Sequence, residues 1–588
     1  MQDLRSLVPY LKRYTRTYLI GLACVVGSNG LTTLAPKFLE QGIDALSGPA
    51  PFAGVRRAAM LLVGAGLLGG ILRYAMRQLL NGVSRRVEFD LRNDLFSKLF
   101  SLPTAYFART ATGDLMARAT NDLLAARMVA GPALMYLVDT ITRTLILIPA
   151  MFAVNATLAG LALLPLLALP LVEGVLGRLI HVRSLAIQDH FGLLTDFVRQ
   201  NIGGARIVRA YNQETPEIRA FARLNEECVA KNLHLARAQA ALDPLLMFLG
   251  GSSSAIVLLV GGQLVLEGTV TVGAFVAFFV YLALLVWPLV FFGWAINLTF
   301  RGSAAMSRIN AVFREPRTID DPREPAALPS HRPARTIRFD QVWFRYPGPA
   351  DRGWVLADVS FEVPAGQSLG VVGATGSGKS ALVELLVRLY DPDRGRVTID
   401  GIDVRDLPLD ELRRAVGFVP QETFLFSDTL RANLLLGLPD DGRVERVAEI
   451  SELAAAVVDL PNGYETILGE RGINLSGGQK QRAAIARALA KEPPIVVLDD
   501  ALSAVDGETE ARILQHLRGA LVGKTSIVVS HRAAAVRQAD QIIVLGDGRI
   551  VERGRYEDLL GRGGRFADLV RTQLLEAELE RYDGGVAG

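Results

Sequence analysis

Six long apolar stretches before residue 302 constrain the fold of this chain more than any other feature. They lie at about residues 17–36, 56–80, 129–153, 156–180, 242–266 and 272–300. Each is near the roughly 20 residues that a helix needs to cross a bilayer, and residues 158–179 show no polar face. Buried helices of a large soluble protein are the alternative, but half of the chain is hydrophobic and only 21% is charged. We therefore predict an all-α transmembrane domain of six long helices.

The charges between the apolar stretches predict how the chain crosses the membrane. The long segments after the second and fourth stretches are rich in arginine, whereas the connections near residue 155 and at 267–271 contain no Lys or Arg. Positively charged loops stay on the cytoplasmic side. We therefore expect both long loops and both termini in the cytosol, in a multi-pass protein of the cytoplasmic (inner) membrane. Residues 3–14 have the pattern of an amphipathic elbow helix on the inner surface.

Charged residues inside the apolar stretches are candidates for function, because an ionised group is costly in lipid. Asp139 and Arg143 stand four residues apart in the third stretch, and Glu173 lies toward the inner end of the fourth. Two interpretations stay open. In one, the first two residues neutralise each other and Glu173 reaches headgroup water; in the other, these side chains contact a transported molecule.

Net charge and cysteine content exclude several other kinds of protein. The chain has 63 basic and 60 acidic residues, a net charge of +3, which gives no general electrostatic basis for binding DNA or RNA. We predict no nucleic-acid partner. Cys24 and Cys228 lie far apart in unlike surroundings, so neither a disulfide framework nor a zinc site is expected.

A proline-rich, charged segment separates the apolar half from a second half of different character. Residues 314–335 contain five prolines, which excludes a regular helix or a membrane span. After them come short apolar runs bounded by Gly, Pro and Asp, typical of a soluble α/β domain. The predicted organisation is a transmembrane domain at 1–313, a linker at 314–335, an α/β domain at 336–570, and a C-terminal helix and tail at 571–588.

The second half contains a glycine-rich phosphate-binding motif. Residues 368–390 have the pattern of a buried strand, a turn and an amphipathic helix, and GATGSGKS at 373–380 fits the P-loop form GxxxxGKS. Backbone N–H groups of such a loop surround phosphate oxygens, and the helix N-terminus adds partial positive charge. A chance glycine turn is the alternative, but strand and helix flank the motif in the required order. The candidate residues are Gly373, Thr375, Gly376, Ser377, Gly378, Lys379 on the β and γ phosphates, and Ser380 on Mg²⁺.

Two further motifs complete this pattern of a P-loop nucleotide site. The apolar run at 495–498 ends in Asp499, a carboxylate that we expect to hold magnesium directly or through water. Before it, LSGGQ at 475–479 opens a helix whose N-terminal amides can bind a phosphate. LSGGQ between a P-loop and this aspartate resembles the signature sequence of ATP-binding cassette (ABC) proteins. The candidate residues of this motif are Ser476, Gly477, Gly478 and Gln479.

The resemblance implies roles for several other residues of the second half. It implies that Tyr346 stacks on adenine, that Gln421 senses and helps to coordinate the metal, and that His531 contacts the γ-phosphate. Residues 503–506 match the D-loop, and residues 466–472 are similar to an exporter-specific loop that touches the cytoplasmic helices of the partner. The implied cofactors are ATP and Mg²⁺.

Two cytoplasmic segments of the first half resemble the intracellular loops of exporters with six spans per subunit. They are residues 107–122 and 204–214, the second with a short coupling helix near Tyr211. Fused spans and ATPase in this order are the arrangement of exporters rather than importers. The resemblance therefore implies a multidrug-type half-transporter with the type IV ABC exporter fold. Its implied activity is ATP-driven export of hydrophobic or amphipathic drugs, lipids or peptides across the lipid bilayer by alternating access.

One position departs from the family pattern. Asp500 stands where the family normally has a glutamate that acts as general base on the attacking water. Aspartate is one methylene shorter, and a shift of ~1 Å in a catalytic group can cost on the order of 10²-fold in rate. We therefore predict that the site at this P-loop, with Asp500, His531 and Gln421 as its catalytic residues, turns over slowly.

The slow site in turn predicts a partner subunit. Because two cassettes of this family join head to tail, the LSGGQ motif of this chain is expected to complete an efficient site on a second, non-identical half-transporter that carries the glutamate. A homodimer with a slow site and a nucleotide-gated or regulatory membrane subunit with little hydrolysis stay open as alternatives. The six apolar stretches exclude a soluble P-loop switch protein.

Overall fold

The chain divides into a helical unit and an α/β unit. The computed structural model describes residues 2–329, 332–348, 353–469, 472–505 and 507–584. The helical unit comprises Met1–Leu99 and Gly113–Arg314, and the α/β unit comprises Phe100–Thr112 and Glu315–Gly588. In the described part of the proline-rich segment, between residues 315 and 335, the backbone forms neither helix nor strand.

The helical unit is built from long helices interrupted by short 3-10 and π turns. The helices are α1 (Val8–Arg13), α2 (Thr15–Ala45), α3 (Pro51–Phe100), α5 (Thr112–Ala117), α6 (Leu123–Met128), α7 (Leu134–Val154), α8 (Ala156–Leu163), α9 (Leu169–Gly203), α10 (Ala205–Ala210), α11 (Glu214–Ala240), α12 (Leu242–Ile256), α13 (Gly262–Leu266) and α14 (Val272–Arg314). The intervening α4 (Thr104–Arg109) lies in the α/β unit. Turns at Arg118–Asp122 and Val129–Ala133 join α5, α6 and α7 into one continuous helical run.

All six predicted apolar stretches are helical. Among the described residues, four helical runs are long and apolar enough to cross a membrane: Thr15–Ala45, Pro51–Phe100, Thr112–Val154 and Met247–Leu266. Shorter apolar helices at Ala156–Ala168 and Val272–Leu285 fall in the fourth and sixth predicted stretches. Several helices continue well beyond their apolar part, since α3 reaches Phe100 and α9 reaches Gly203.

Small residues and polar contacts hold these helices together. A Cβ atom at Gly21 of α2 would lie 2.7 Å from the Leu80 side chain of α3, so the two helices approach closely there. The Tyr18 hydroxyl donates a hydrogen bond to the Ala130 carbonyl at 2.6 Å. Close contact at glycines and interhelical hydrogen bonds replace the hydrophobic driving force that is absent between helices in lipid.

A buried polar cluster links α2 to α7. The Arg143 guanidinium forms the expected ion pair with Asp139 at 3.5 Å and donates to the Asn29 Oδ1 atom at 3.2 Å. The Asn29 amide, which is fully buried, donates to the Thr142 hydroxyl at 2.8 Å. The charges of Asp139 and Arg143 therefore neutralise each other inside the helical unit. The side chain of Glu173 lies outside the described residues.

Removing one charge of this pair should destabilise the membrane domain. We expect Arg143→Ala to cost about 3–5 kcal/mol of unfolding free energy, because it leaves the Asp139 carboxylate uncompensated in the bundle. The double variant Arg143→Met with Asp139→Leu should be closer to wild type. Thermal unfolding of the full chain in lipid nanodiscs measures both effects, and a double variant as unstable as Arg143→Ala would contradict the pairing argument.

The predicted elbow segment at 3–14 folds as a 3-10 turn followed by α1. Polar contacts attach it to the long helix α3. The Tyr10 hydroxyl donates to the Asp94 carboxylate at 2.7 Å, and the Tyr14 hydroxyl donates to Asp90 at 3.1 Å. Burial and the acceptor carboxylate of Asp94 raise the pKa of Tyr10, so both phenols stay protonated donors at physiological pH.

The α/β unit contains two β-sheets surrounded by short helices. A four-stranded antiparallel sheet has the order β2-β1-β4-β5, and a six-stranded sheet has the order β10-β9-β3-β8-β7-β6. The strands are β1 (Ile337–Phe344), β2 (Leu356–Val363), β3 (Ser368–Gly373), β4 (Arg394–Ile399), β5 (Ile402–Asp403), β6 (Val416–Val419), β7 (Ile495–Asp499), β8 (Thr525–Val529), β9 (Gln541–Gly546) and β10 (Arg549–Gly554).

The helices after α14 are α15 (Lys379–Leu386), α16 (Leu409–Ala415), α17 (Leu430–Leu435), α18 (Arg443–Ile450), α19 (Ala454–Val458), α20 (Gly477–Ala490), α21 (Gly507–Leu521), α22 (Tyr556–Arg562) and α23 (Arg565–Gly584). Most of the predicted C-terminal helix lies in α23, and residues 585–588 lie outside the described part of the chain.

The six-stranded sheet places the predicted motifs at one edge. Strands β3, β8, β7 and β6 are parallel neighbours, with Val371 opposite Val529 and Leu498 opposite Val419. The carboxyl ends of parallel strands meet at the same edge, where open α/β sheets bind their ligands. The P-loop follows β3, Asp499 ends β7, and the segments with His531 and Gln421 follow β8 and β6. Residues far apart in the sequence are therefore brought together.

Candidate nucleotide-binding site

The P-loop is a tight turn between β3 and α15. Gly378 adopts φ +98°, a left-handed conformation, and a Cβ atom there would lie 2.6 Å from the Val355 carbonyl oxygen. Gly376 is also left-handed at φ +82°, and only glycine adopts such values without strain. Gly373 is buried at the end of β3, and Thr375 is exposed at the tip of the loop. The sequence pattern thus corresponds to a tight, glycine-dependent loop that is exposed at residues 374–376.

Lys379 and Ser377 supply further polar groups to the loop. The Lys379 ammonium donates to the carbonyl oxygens of Gly373 and Ala374 at 2.8 and 2.9 Å. Burial lowers the pKa of Lys379, and the nearby carboxylates of Asp500 and Asp499 oppose that shift. The Ser377 hydroxyl is buried and has no hydrogen-bond partner within the described residues. A ligand rich in phosphate oxygens would satisfy these groups.

The residues expected to hold magnesium are adjacent to the P-loop. Asp499 is 3% exposed at the end of β7. Burial raises the pKa of Asp499 to about 6, an effect that the nearby Ser380 hydroxyl reduces and the charge of Asp500 increases. A hydroxyl and a carboxylate are the hard oxygen ligands that Mg²⁺ prefers, so this pair fits the ion. Gln421 is exposed two residues beyond the end of β6.

The raised pKa of Asp499 predicts a pH-dependent affinity for magnesium. Below pH about 6 the carboxyl group is protonated in the metal-free protein, so a proton must leave before the ion binds. We expect the apparent affinity for Mg²⁺ in the presence of ATP to fall about tenfold per pH unit below that value. Mg²⁺ titrations of the full chain between pH 5 and 8, in the presence of ATP, measure this affinity. The control variant Asp499→Asn should bind Mg²⁺ weakly at every pH. A wild-type affinity that does not change with pH would contradict the prediction.

Asp500 and His531 form a hydrogen-bonded pair beside Asp499. The His531 Nδ1 atom lies 2.8 Å from the Asp500 Oδ1 atom. Asp500 has a left-handed backbone at φ +49°, and its amide donates to the Val529 carbonyl at 2.9 Å. The side-chain amide of Gln573 donates a hydrogen bond to the His531 carbonyl oxygen at 2.6 Å. The structure thus brings together two residues that the sequence assigned to catalysis.

The LSGGQ motif forms the first turn of α20. The Ser476 hydroxyl accepts a hydrogen bond from the Gln479 amide at 3.3 Å, and the Gln479 side chain accepts from the Ser476 amide at 2.8 Å. This reciprocal capping box leaves Ser476 and Gly477 exposed at the helix N-terminus, with Gly478 partly buried behind them. The Ser476 and Gln479 amides are therefore satisfied within the turn, and the helix N-terminus is exposed at Ser476 and Gly477.

Gln481 connects this turn to the D-loop, a link that the motifs did not indicate. Its amide nitrogen donates to the Ser503 hydroxyl at 2.8 Å, and its oxygen accepts from the Ala504 amide at 2.9 Å. Gln481 is 6% exposed. Asp506, the last residue of the predicted D-loop, lies outside the described residues. Only the polarity of a side chain on the buried face of α20 could have drawn attention to Gln481 in the sequence.

Tyr346, the predicted adenine-stacking residue, is half-buried after β1. Its hydroxyl donates to the Glu384 Oε2 atom at 2.7 Å. Burial and this carboxylate raise the pKa of Tyr346, so the phenol remains protonated. The predicted exporter-specific loop at 466–472 lies elsewhere in the α/β unit, where Ile467 forms a β-bridge with Thr429; residues 470 and 471 are outside the described chain.

The segments that resemble intracellular loops are helical and exposed at their turns. Tyr211 follows the six-residue helix α10 and is 73% exposed. Residues 107–122 run from α4 through α5 into the π turn at Arg118–Asp122. Both segments thus contain short helices that adjoin much longer ones, and their role in coupling stays a prediction.

Comparison with known proteins identifies the family. The chain is 36% identical over 585 residues to the probable multidrug resistance ABC transporter ATP-binding/permease protein YheI of Bacillus subtilis (strain 168), an alignment that covers 98% of each chain. The chain belongs to the ABC transporter family. Residues 18–289 match the family model described as ABC transporter transmembrane region, and residues 356–503 match the one described as ABC transporter.

Other ABC transporters share the full length and the fold. The ATP-dependent lipid A-core flippase of Thiobacillus denitrificans (strain ATCC 25259 / T1) is 33% identical over 574 residues, which cover 96% of this chain and 97% of the flippase. The structure of a bacterial Atm1-family ABC exporter with ATP bound matches with a TM-score of 0.78 and 28% identity, over 97% of this chain and 99% of that chain. The fold is therefore that of an ABC exporter half-transporter: a helical transmembrane domain joined to an α/β ABC nucleotide-binding domain that couples ATP hydrolysis to transport.

Proposed function

We propose that this chain is one subunit of a heterodimeric ATP-driven exporter and that the ATP site on its own P-loop is slow. The proposal rests on Asp500, which stands at the position of the general base. Its short side chain is hydrogen-bonded to His531, with 2.8 Å between the Asp500 Oδ1 and His531 Nδ1 atoms. A carboxylate held against the histidine, one methylene short of a glutamate, is displaced from the water that it should activate. The sequence also resembles TmrB, the degenerate-site subunit of the bacterial heterodimer TmrAB.

The remaining site residues retain the functions needed to bind ATP. Lys379 and the P-loop amides would hold the β and γ phosphates, and Ser380 and Asp499, with Gln421, would hold Mg²⁺. Bound magnesium would neutralise phosphate charge and orient the γ-phosphate. Tyr346 would supply a stacking surface for adenine. The site is thus suited to tight nucleotide binding, which favours closure of the cassettes even when hydrolysis is slow.

The LSGGQ turn supports a partner with a competent site. Its capping box is complete and its N-terminus is exposed, so it can contribute donors to the ATP of a second subunit. The turn packs with α17 and α18 in a hydrophobic core separate from the one that contains α15. An intact LSGGQ motif together with a weakened general base is the combination expected of one subunit in a heterodimer with two different ATP sites.

The cargo is proposed to be hydrophobic or amphipathic. The relatives above are described as a probable multidrug resistance transporter and as a lipid A-core flippase. Drugs, lipids or hydrophobic peptides dissolved in the bilayer would reach the transmembrane helices directly from the membrane. We place the chain in the cytoplasmic membrane with both termini in the cytosol, because the arginine-rich loops are the cytoplasmic ones.

Transport measurements test the proposal. When the affinity-tagged chain is purified from its native membrane, a second ABC half-transporter with glutamate at the position of Asp500 should co-purify with it. In inside-out vesicles the assembly should accumulate a fluorescent amphipathic dye against its gradient only with Mg-ATP. A chain that purifies as a homodimer and pumps at full rate would contradict the heterodimer. Dissipation of a preformed gradient would instead favour a nucleotide-gated or regulatory membrane subunit.

A further inference from the structure

Glu384 is a charged residue of the α/β unit to which no motif assigns a role. It lies on α15, four residues after Ser380, and is the only charged residue in the otherwise apolar run ALVELL at 381–386. Its neighbours Val383 and Leu385 are fully buried, and Glu384 itself is partly buried. Burial raises the pKa of Glu384. A carboxyl group in such surroundings is costly unless it has a specific partner.

The partner is the phenol of Tyr346. The Tyr346 hydroxyl donates to the Glu384 Oε2 atom at 2.7 Å, a short hydrogen bond to a carboxylate of the stronger kind. The Tyr346 ring also packs edge-on against two aromatic rings, Phe344 at 5.0 Å and Tyr390 at 5.3 Å between centroids. One hydrogen bond at the hydroxyl and two contacts with neighbouring aromatic rings therefore restrict the orientation of the Tyr346 ring.

A fixed ring is better suited to stacking than a mobile one. A side chain that becomes immobile on binding loses rotamer freedom, which weakens affinity. The contacts of Tyr346 reduce that loss, because they already restrain the ring without a ligand. The hydrogen bond to α15 also ties the ring to the helix that carries Lys379 and Ser380 at its start, so the stacking surface and the phosphate-binding loop share one rigid element.

We propose that Glu384 is a positioning residue for the nucleotide base: its carboxylate holds Tyr346 in the orientation that stacks on adenine. This inference rests on the proposed role of Tyr346 in the ATP site. Glu384 does not itself contact the ligand in this account. Its negative charge also acts on Asp499, so the hydrogen-bond effect and the charge effect must be separated experimentally.

Nucleotide titrations of four variants of the full chain in nanodiscs, without Mg²⁺, separate the two effects. Glu384→Ala and Tyr346→Phe should each weaken ATP binding about five-fold, the effect of one lost hydrogen bond, and the double variant should be no weaker than either. Glu384→Gln keeps an acceptor oxygen without the charge and should stay within about two-fold of wild type. Inorganic triphosphate has no base, so its affinity should be unchanged in all four.

Specific outcomes would overturn this role of Glu384. Effects that multiply to about 25-fold in the double variant would show that the two residues act independently. An equal loss of affinity for ATP and for triphosphate would show a general disturbance of the P-loop. Wild-type ATP affinity in Glu384→Ala would show that the hydrogen bond to Tyr346 has no role in binding. Lys379→Ala tests the site itself and should lose both ligands. If Lys379→Ala bound both normally, the proposed nucleotide site would fail, whatever Glu384 does.

Discussion

Asp500→Glu should raise ATP turnover at this chain's own P-loop by on the order of 10²-fold. The added methylene extends the carboxylate beyond the position in which it now meets His531 at 2.8 Å, toward the water that attacks the γ-phosphate. The measurement is phosphate release by the proposed heterodimer, with the general base of the partner replaced by glutamine. In that background the remaining hydrolysis comes from the site of this chain.

Two controls show whether the gain comes from base catalysis. Asp500→Asn should change the already low rate by no more than about three-fold, because little base catalysis is present to lose. His531→Ala should remove the gain in the Asp500→Glu background. The left-handed backbone at Asp500, φ +49°, is less favourable for glutamate, at a cost of about 1 kcal/mol, so stability is compared in parallel. A wild-type site that already turns over as fast as Asp500→Glu would refute the slow-site hypothesis.

The sequence predicts those parts of the molecule that depend on local pattern. Apolar runs of bilayer length predict the long helices, because a helix in lipid must satisfy all of its backbone hydrogen bonds internally. The P-loop and the apolar run before Asp499 predict two adjacent parallel strands, because their carboxyl ends must supply one phosphate and metal site. The strands are parallel in one sheet, but β8 lies between β3 and β7, so their adjacency was wrong. Each of these motifs is a short continuous stretch, so it is visible in the sequence.

Contacts between distant residues are not visible in that way. Gln481 is hydrogen-bonded to Ser503 over 22 positions, and Tyr346 to Glu384 over 38. In each pair the two residues lie in different parts of the fold, so no period within one helix or strand relates them. The segment Phe100–Thr112 belongs to the α/β unit, although the apolar helix before it gives no sign of this. Such partners depend on the register and crossing of whole elements, which local periodicity does not specify.

Gly477→Asp should reduce ATP turnover of the proposed heterodimer by on the order of 10²-fold, because it places a negative charge where the partner's ATP would meet the N-terminus of α20. The substitution is compatible with the fold. Gly477 is exposed, and a Cβ atom there would meet the Ala504 Cβ at an ordinary 3.4 Å. An acidic residue in the first turn also interacts favourably with the helix dipole, so α20 should be as stable as in wild type.

The location of the loss distinguishes the two ATP sites. Gly477→Asn has nearly the same shape without the charge and should lose much less activity, and ATP binding by this chain's own P-loop should be unchanged in both variants. Because the signature of one subunit would complete the ATP site of the other, we expect damage to Gly477 to affect the proposed efficient site, and Asp500→Asn to affect only the proposed slow one. An assembly that tolerates Gly477→Asp but fails with Asp500→Asn would reverse the assignment and place the efficient site on this chain.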